Sequence, residues 1–364
     1  MLTTILSTVI VLGILIFIHE LGHFLLAKRL GVGVLTFALG FGPKLIGRKI
    51  GETEYKICAI PLGGYVKPIG EDPKEEVKEE DRHRSLSAQP IWKRALIVSA
   101  GPFFNFFLAA ALFSSINLIV GIPSMPTVTP EVGEVSPGFP AEKAGLKKGD
   151  LILAIDGKDI SKWEELQQII TNSKGKELLL KVKRDGEILE IKIIPKPFTE
   201  KNLFGEEINT YKIGVTHPPV NIVREKVGPL VALGSGLAQT WELIELTVTG
   251  IVKLIQRVVP AKEIGGPIMI AKLAGEQAKR GLLNLIVFTA IISVNLGVIN
   301  LFPIPILDGG HLLFLGVEAV LRRPISIKKM EIAQQIGLIF IILLMLFAIR
   351  NDLIRYFFPG GFKF

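Results

Sequence analysis

His19-Glu20-Leu21-Gly22-His23 closes a long uncharged run, Ile10-Val11-Leu12-Gly13-Ile14-Leu15-Ile16-Phe17-Ile18. On a helix, four residues make about 400° of rotation, so the two imidazoles share a face one turn apart. Two neutral imidazoles at that spacing can grip one Zn²⁺, and a carboxylate directly after the first histidine stands where a general base is needed. The same pattern in a soluble helix is often only a set of solvated side chains. Here it follows an apolar run long enough to enter a bilayer, where ionisable groups are costly and by default mark function.

Composition agrees with a membrane setting. The chain has 364 residues, 49% of them hydrophobic, a mean hydropathy of +0.47 and a net charge of +8. Such an apolar balance points to several spans. The basic residues cluster beside apolar runs, which indicates positive-inside topology and speaks against nucleic-acid binding. Cys58 is the sole cysteine, which excludes an intrachain disulfide and a cysteine-based zinc site. A metal would be held by histidine and carboxylate. Zn²⁺ suits such donors best, with Fe²⁺ or Co²⁺ as alternatives.

Four spans are expected. Residues 4–27 form the first; they lack the positive opening of a secretory signal peptide and read as a mature segment. Lys28 and Arg29 follow at once, and residues 28–94 hold 13 Lys and Arg, so this side should face the cytoplasm and the N-terminus the outside. Residues 92–120 form the second span, with Gly101-Pro102-Phe103-Phe104-Asn105 at its middle. Asn105 serves there as packing glue or as a wall of the site, with the second preferred. Residues 283–306 form the third span, ending in Pro303 and Pro305, and residues 332–349 the fourth. Arg322, Arg323, Lys328 and Lys329 place the intervening loop inside, leaving both termini outside.

Within the first loop, two β-prone runs flank Pro61-Leu62-Gly63-Gly64 and read as a hairpin. It is either a plain surface hairpin or an edge that could receive an extended substrate. Residues 71–84 mix Glu, Lys, Asp and Arg and read as a mobile, solvated segment containing an exposed His83. Residues 123–200 are soluble in composition. Strand and turn signals alternate there, with Asp156-Gly157 and Asp185-Gly186 as tight turns, a helix from Trp163 to Ile170 and a strand from Glu177 to Lys183. This pattern resembles a bacterial PDZ domain, a module that takes extended peptides by strand addition. Residues 201–281 read as a linker with a short strand at 210–215, a turn histidine at His217, and amphipathic helices at 229–258 and 268–279 lying on the outer face; Glu242 and Glu245 favour this over a span for 229–258.

A catalytic zinc takes three protein ligands and keeps one position open. Beyond His19 and His23, the third must sit at the same depth in the membrane. Asp308 qualifies, beside Gly309 and Gly310, which permit close backbone approach. His311 is a competitor, disfavoured because it falls past the break in the helix; Asp308 could also act simply as a cap.

Taken together, HELGH in a first span, Pro61-Leu62-Gly63-Gly64-Tyr65, a PDZ module after the second span, and Asn300-Leu301-Phe302-Pro303-Ile304-Pro305-Ile306-Leu307-Asp308-Gly309-Gly310 resemble the site-2 proteases over essentially the whole chain. That resemblance implies a zinc metalloendopeptidase that cuts a single-pass membrane protein, such as an anti-sigma factor, inside the bilayer during regulated intramembrane proteolysis. It implies zinc ligands at His19, His23 and Asp308, a catalytic base at Glu20, a substrate-holding role for Asn300, and a membrane-reentrant β element around Gly63, Gly64 and Tyr65. An enterobacterial relative carries two PDZ modules in tandem, whereas one is read here. The expected architecture is a polytopic α-helical membrane protein of the bacterial inner membrane. It has a membrane half at 1–122, an extracytoplasmic PDZ domain at 123–200, the linker and amphipathic helices at 201–281, and a second membrane half at 282–364, with the active site near the cytoplasmic face. A different class of function is a membrane-anchored PDZ receptor with a vestigial metal site. Retention of Glu20 with all the candidate ligands disfavours it. A zinc transporter is disfavoured because the second and fourth spans carry no ionisable residue to line a path.

Overall fold

In a bilayer the main chain must satisfy its own hydrogen bonds, which restricts spanning segments here to helices. The computed structural model describes residues 1–71, 77–124, 128–202, 204–221 and 223–357. Four helices among them are long and apolar enough to cross a membrane: α1 (Leu2–Arg29), α2 (Ile91–Val120), and two later ones at Leu282–Asn300 and Ile327–Phe357. The chain divides into two compact units, one of Met1–Ile119, Gly228–Val252 and Pro260–Phe364, the other of Val120–Val227 and Lys253–Val259.

Between α1 and α2 lie two long strands, β1 (Val34–Ile50) and β2 (Thr53–Pro68). The expected hairpin is present, but its turn is at Gly51-Glu52 and not at Pro61–Gly64. The two runs flanking Pro61–Gly64 do not pair with each other. Residues 36–39 lie between them, matched to 64–67 on one side and to 54–57 on the other, while 46–50 pairs with 53–57. The physical reason is the apolar run Leu35-Thr36-Phe37-Ala38-Leu39, whose Phe37 and Ala38 are buried and hold the middle of the sheet. Segment 64–68 is left with a partner on one side only among the described pairs. Residues 72–76 of the charged stretch lie outside the described residues. Glu79–Arg84 forms a 3-10 turn, from which Arg84 joins Lys28 in pairing with Glu52, and His83 is exposed.

The second unit is PDZ-like. Its strands are β3 (Ile122–Ser124), β4 (Glu134–Val135), β5 (Leu151–Ile155), β6 (Lys158–Asp159), β7 (Leu178–Arg184), β8 (Glu187–Ile193), β9 (Lys196–Lys201), β10 (Glu207–Lys212), β11 (Val215–Thr216) and β12 (Val223–Glu225). Its helices are α3 (Pro140–Lys143) and α4 (Trp163–Asn172). A four-stranded sheet runs β6-β5-β7-β8, and β3 pairs with β12, so the entering and leaving chains run side by side. Asp156-Gly157 and Asp185-Gly186 all have positive φ, as two-residue hairpin turns require. Val132, Ile152, Leu166, Leu180 and Val182 form a fully buried core with α4 set on it. His217 is exposed and meets the Trp163 ring edge-on, away from any ligand cluster.

The remaining helices are α5 (Pro229–Ile255), α6 (Pro267–Arg280), α7 (Leu282–Asn300), α8 (Asp308–Leu321) and α9 (Ile327–Phe357). The helix expected at 229–258 is present as α5, it is not among the four membrane-length helices, and one of its faces packs on other helices. Ala232, Gly236 and Thr240 make a buried stripe one turn apart, Gly236 fits against Ser114 and the Ala110 carbonyl of α2, and Thr247 donates to Asn295 Oδ1 of α7 at 2.8 Å. Small residues let helices approach in lipid, which the charge count of the segment does not reveal. Similarly, Gly275 of α6 seats against Thr4 of α1. Asp352 of α9, fully buried, accepts from Gly266 N and Met269 N and so caps α6 from another helix. The third span ends at Asn300, not 306, and α8 was not expected.

One ion pair gives the PDZ-like unit a pH dependence. Burial pushes the Asp150 carboxyl up, but the Arg184 guanidinium at 2.7 Å and the Lys147 N–H at 2.8 Å outweigh it and hold the carboxyl below the ordinary carboxylate range. Stability from such a group is present above its unfolded value and is lost as pH falls through the lowered one. Amide exchange of β5 and β7 in the full chain should therefore accelerate below about pH 4. Asp150→Asn should cost about 2–3 kcal/mol at neutral pH and flatten the acid dependence; an unchanged acid profile would remove the pair from this role.

Candidate metal centre and active site

α1 carries His19 and His23 one turn apart, with His19 ten residues, or about 15 Å, before the helix end. Their Nε2 atoms are 3.3 Å apart. Asp308 Oδ2 stands 3.2 Å from His19 Nε2 and 3.6 Å from His23 Nε2. Donors about 2.0–2.1 Å from a tetrahedral ion are about 3.3 Å from one another, so three atoms at these spacings form one face of a zinc site. Asp308 Oδ2 is buried with no hydrogen-bond partner although two imidazole nitrogens flank it. A carboxylate oxygen and two imidazole nitrogens converging on one point are what a cation requires, and the donor set fits Zn²⁺. Among the described residues, His19, His23 and Asp308 are the only group of this kind.

The local fold explains the convergence. Pro102 lacks the N–H that would bond to the Val98 carbonyl and disturbs α2 beside the site. One turn earlier, the Ile97 carbonyl accepts from His23 Nδ1 at 2.8 Å. A carbonyl can only accept, so Nδ1 carries the hydrogen and Nε2 keeps its lone pair for a metal. Gly22 lies against the Ala100 carbonyl and Phe104, and a Cβ on Gly101 would collide with His23 Nε2 and crowd His19. On the far side, a Cβ on Gly309 or Gly310 would strike the carbonyls of Leu301, Phe302 or Ile304. These glycines let the proline-rich turn fold tightly under the start of α8, which returns Asp308 to the histidines. His311, one turn further on, lines the same cavity without joining the ligand group.

The cavity encloses about 940 Å³ and is lined by Glu20 as well as the three ligand candidates. Glu20 Cγ packs against Gly64, where a Cβ would also meet Ile16 and the Ala38 carbonyl. The strand around Gly64 thus passes beside the candidate base, and Gly64 and Tyr65 line the cavity. Gly63 does not; its φ is 116° and the Phe41 ring occupies the space beside it. Asn300 ends α7 half-buried and is not among the lining residues. Asn105, expected as packing glue or as a substrate-binding wall of the site, is fully buried behind His19 and does not line the cavity, with its amide nitrogen 3.1 Å from His19 Nδ1 and its main-chain oxygen accepting from Ser293 at 2.8 Å. Arg94 and Glu318 pair across the cavity wall, joining α2 to α8 through contacts of 3.1 and 2.5 Å. In the sequence Arg94 is one of the 13 basic residues of 28–94, and nothing local names Glu318 as its partner.

Gly101→Ala should fold yet lose zinc, read as metal per chain by atomic absorption. Gly13→Ala in α1, where a Cβ meets nothing within 4 Å, should keep it. Equal zinc in both would mean that the histidines do not need the space at Gly101.

The profile of Peptidase family M50 matches residues 7–344. A Rhizobium meliloti protein provisionally named a zinc metalloprotease is 35% identical over 96% of each chain. The regulator of sigma-W protease RasP of Bacillus subtilis is 30% identical over 97% of this chain and 99% of its own, and the regulator of sigma-E protease RseP of Escherichia coli is 32% identical over 96% and 98%. The PDZ domain of an SdrC-like protein from Listeria innocua is 30% identical over 25% of this chain and 93% of its own, with a TM-score of 0.20. A family match across nearly the whole chain, with both histidines and Asp308 inside it, means that the chain belongs to Peptidase family M50, the site-2 protease family.

Proposed function

We propose that this chain is a zinc endopeptidase of the bacterial inner membrane that cuts the transmembrane segment of single-pass membrane proteins in regulated intramembrane proteolysis. The observation that carries this reading is a three-donor metal site with a carboxylate beside it, set within a helical unit that has four membrane-length helices. The names of the relatives RasP and RseP, both regulators of sigma proteases, favour anti-sigma-factor-like substrates. Basic loops at 28–94 and 322–329 favour an active site near the cytoplasmic face and both termini outside.

His19, His23 and Asp308 would hold the zinc, and zinc bound there supplies Lewis acidity toward a carbonyl oxygen and acidifies water. The Glu20 carboxylate takes a proton from the attacking water and returns it to the departing amide nitrogen. A transmembrane substrate shields its peptide bonds by its own helical hydrogen bonds and must be unwound first. Gly64 and Tyr65 lie on a strand that passes against Glu20, and we assign to that strand the task of taking up the segment that unwinding exposes. Asn300, at the end of α7, is assigned to hold the substrate backbone, and the PDZ-like unit to take an extended peptide. The retention of every donor in one cluster weighs against a vestigial receptor.

Purified protein in detergent should cleave a model single-pass substrate. Glu20→Gln should keep one zinc per chain while losing at least about 10²-fold in rate. Full activity in that variant would contradict the role of Glu20, and loss of its zinc would make Glu20 part of the metal site.

A further inference from the structure

The two histidines are oriented by different kinds of group. His23 faces the Ile97 carbonyl, which only accepts. His19 faces the carboxamide of Asn105, which can either donate or accept. Asn105 is fully buried; its amide nitrogen is the end placed toward His19 Nδ1, and its buried Oδ1 has no hydrogen-bond partner, an acceptor that a half-turn of the near-symmetric carboxamide brings onto Nδ1. The Asn105 main chain is tied to α7 through the Ser293 hydroxyl.

The chemistry couples the two residues. When the amide nitrogen faces Nδ1, that nitrogen must accept, so the ring hydrogen sits on Nε2 and points among the donor atoms. When the amide oxygen faces Nδ1, the hydrogen sits there and Nε2 keeps a lone pair directed at His23 Nε2 and Asp308 Oδ2. Only the second arrangement leaves three lone pairs converging. We propose that Asn105 is a positioning residue whose side-chain oxygen holds His19 as the Nδ1–H tautomer, preparing Nε2 to ligate. This rests on the reading of His19 as a zinc ligand. Partners of this kind to a ligating imidazole typically contribute 10- to 100-fold in metal affinity.

Two substitutions separate acceptance from packing. Asn105→Asp keeps the shape and can only accept; Asn105→Leu keeps the shape and can do neither. In full-length protein in detergent, zinc affinity measured by competition with a chromophoric chelator should fall 10- to 100-fold in Asn105→Leu. It should stay within a few-fold of wild type in Asn105→Asp, with thermal unfolding of the zinc-free proteins confirming that both fold. A donor role predicts the reverse for Asp, since it removes the N–H, so equal losses in both variants overturn the proposal. Nitrogen-15 NMR of labelled histidine in zinc-free wild type reads the tautomer without needing either variant or the metal. Nδ1–H on His19, shifting toward Nε2–H in Asn105→Leu, is expected; Nε2–H in wild type contradicts the proposal. Should wild type bind no zinc, the metal reading of the triad fails, while the tautomer still decides what Asn105 does.

Discussion

Everything at the site depends on one steric fact: α1 and α2 approach closely enough for main chain to meet imidazole. The approach needs no side chain at Gly22, which rests on the Ala100 carbonyl, and none at Gly101, which faces both histidines. In lipid no hydrophobic force drives two apolar helices together, so close packing and polar contacts must do so. Here the contacts that join the helices are those that set the site: Ile97 to His23 and Asn105 to His19. Association of the helices and orientation of the donors are therefore a single event. Burying two imidazoles and a carboxylate is costly, and a cation shared by all three would offset that cost.

The second half of the site is brought in by a turn. Asp308 opens a helix of its own, and Gly309 and Gly310 allow the chain from Leu301 to Pro305 to fold against that helix start. The Arg94–Glu318 pair then joins the same helix to α2, beside the residues that orient His23. An ion pair of limited exposure gives little net stability, but it favours one register strongly, because breaking it leaves a charge unpaired. Between these supports the β1–β2 sheet lays the strand around Gly64 along Glu20. The candidate base and this strand thus come from elements adjacent in sequence, whereas the candidate metal ligands come from opposite ends of the chain.

Much of this was legible in the sequence for definite reasons. His19 and His23 have a spacing that only a helix makes meaningful, and Asp308 follows a proline break at matching depth. The strand and turn signals from 132 to 193 are periodic and locally determined. Legibility failed where tertiary partners decide. The runs around Gly63 look like a hairpin because nothing local shows that 36–39 will come between them. α8 was hidden because Gly309-Gly310 reads as a breaker, although its glycines serve close approach. At 229–258 the helix itself was legible, but the Ala232, Gly236 and Thr240 stripe that packs it on α2 is silent in a charge count. Asn105 was recognised as a polar residue needing a partner, but no pattern in the chain names His19.

Zinc-edge X-ray absorption of the purified, zinc-loaded protein tests the central claim most directly. Light nitrogen and oxygen donors at about 2.0–2.1 Å, with the multiple-scattering signature of two imidazoles, are the predicted result. Three imidazoles would put His311 in the place of Asp308, and a sulfur shell at about 2.3 Å would exclude the triad altogether.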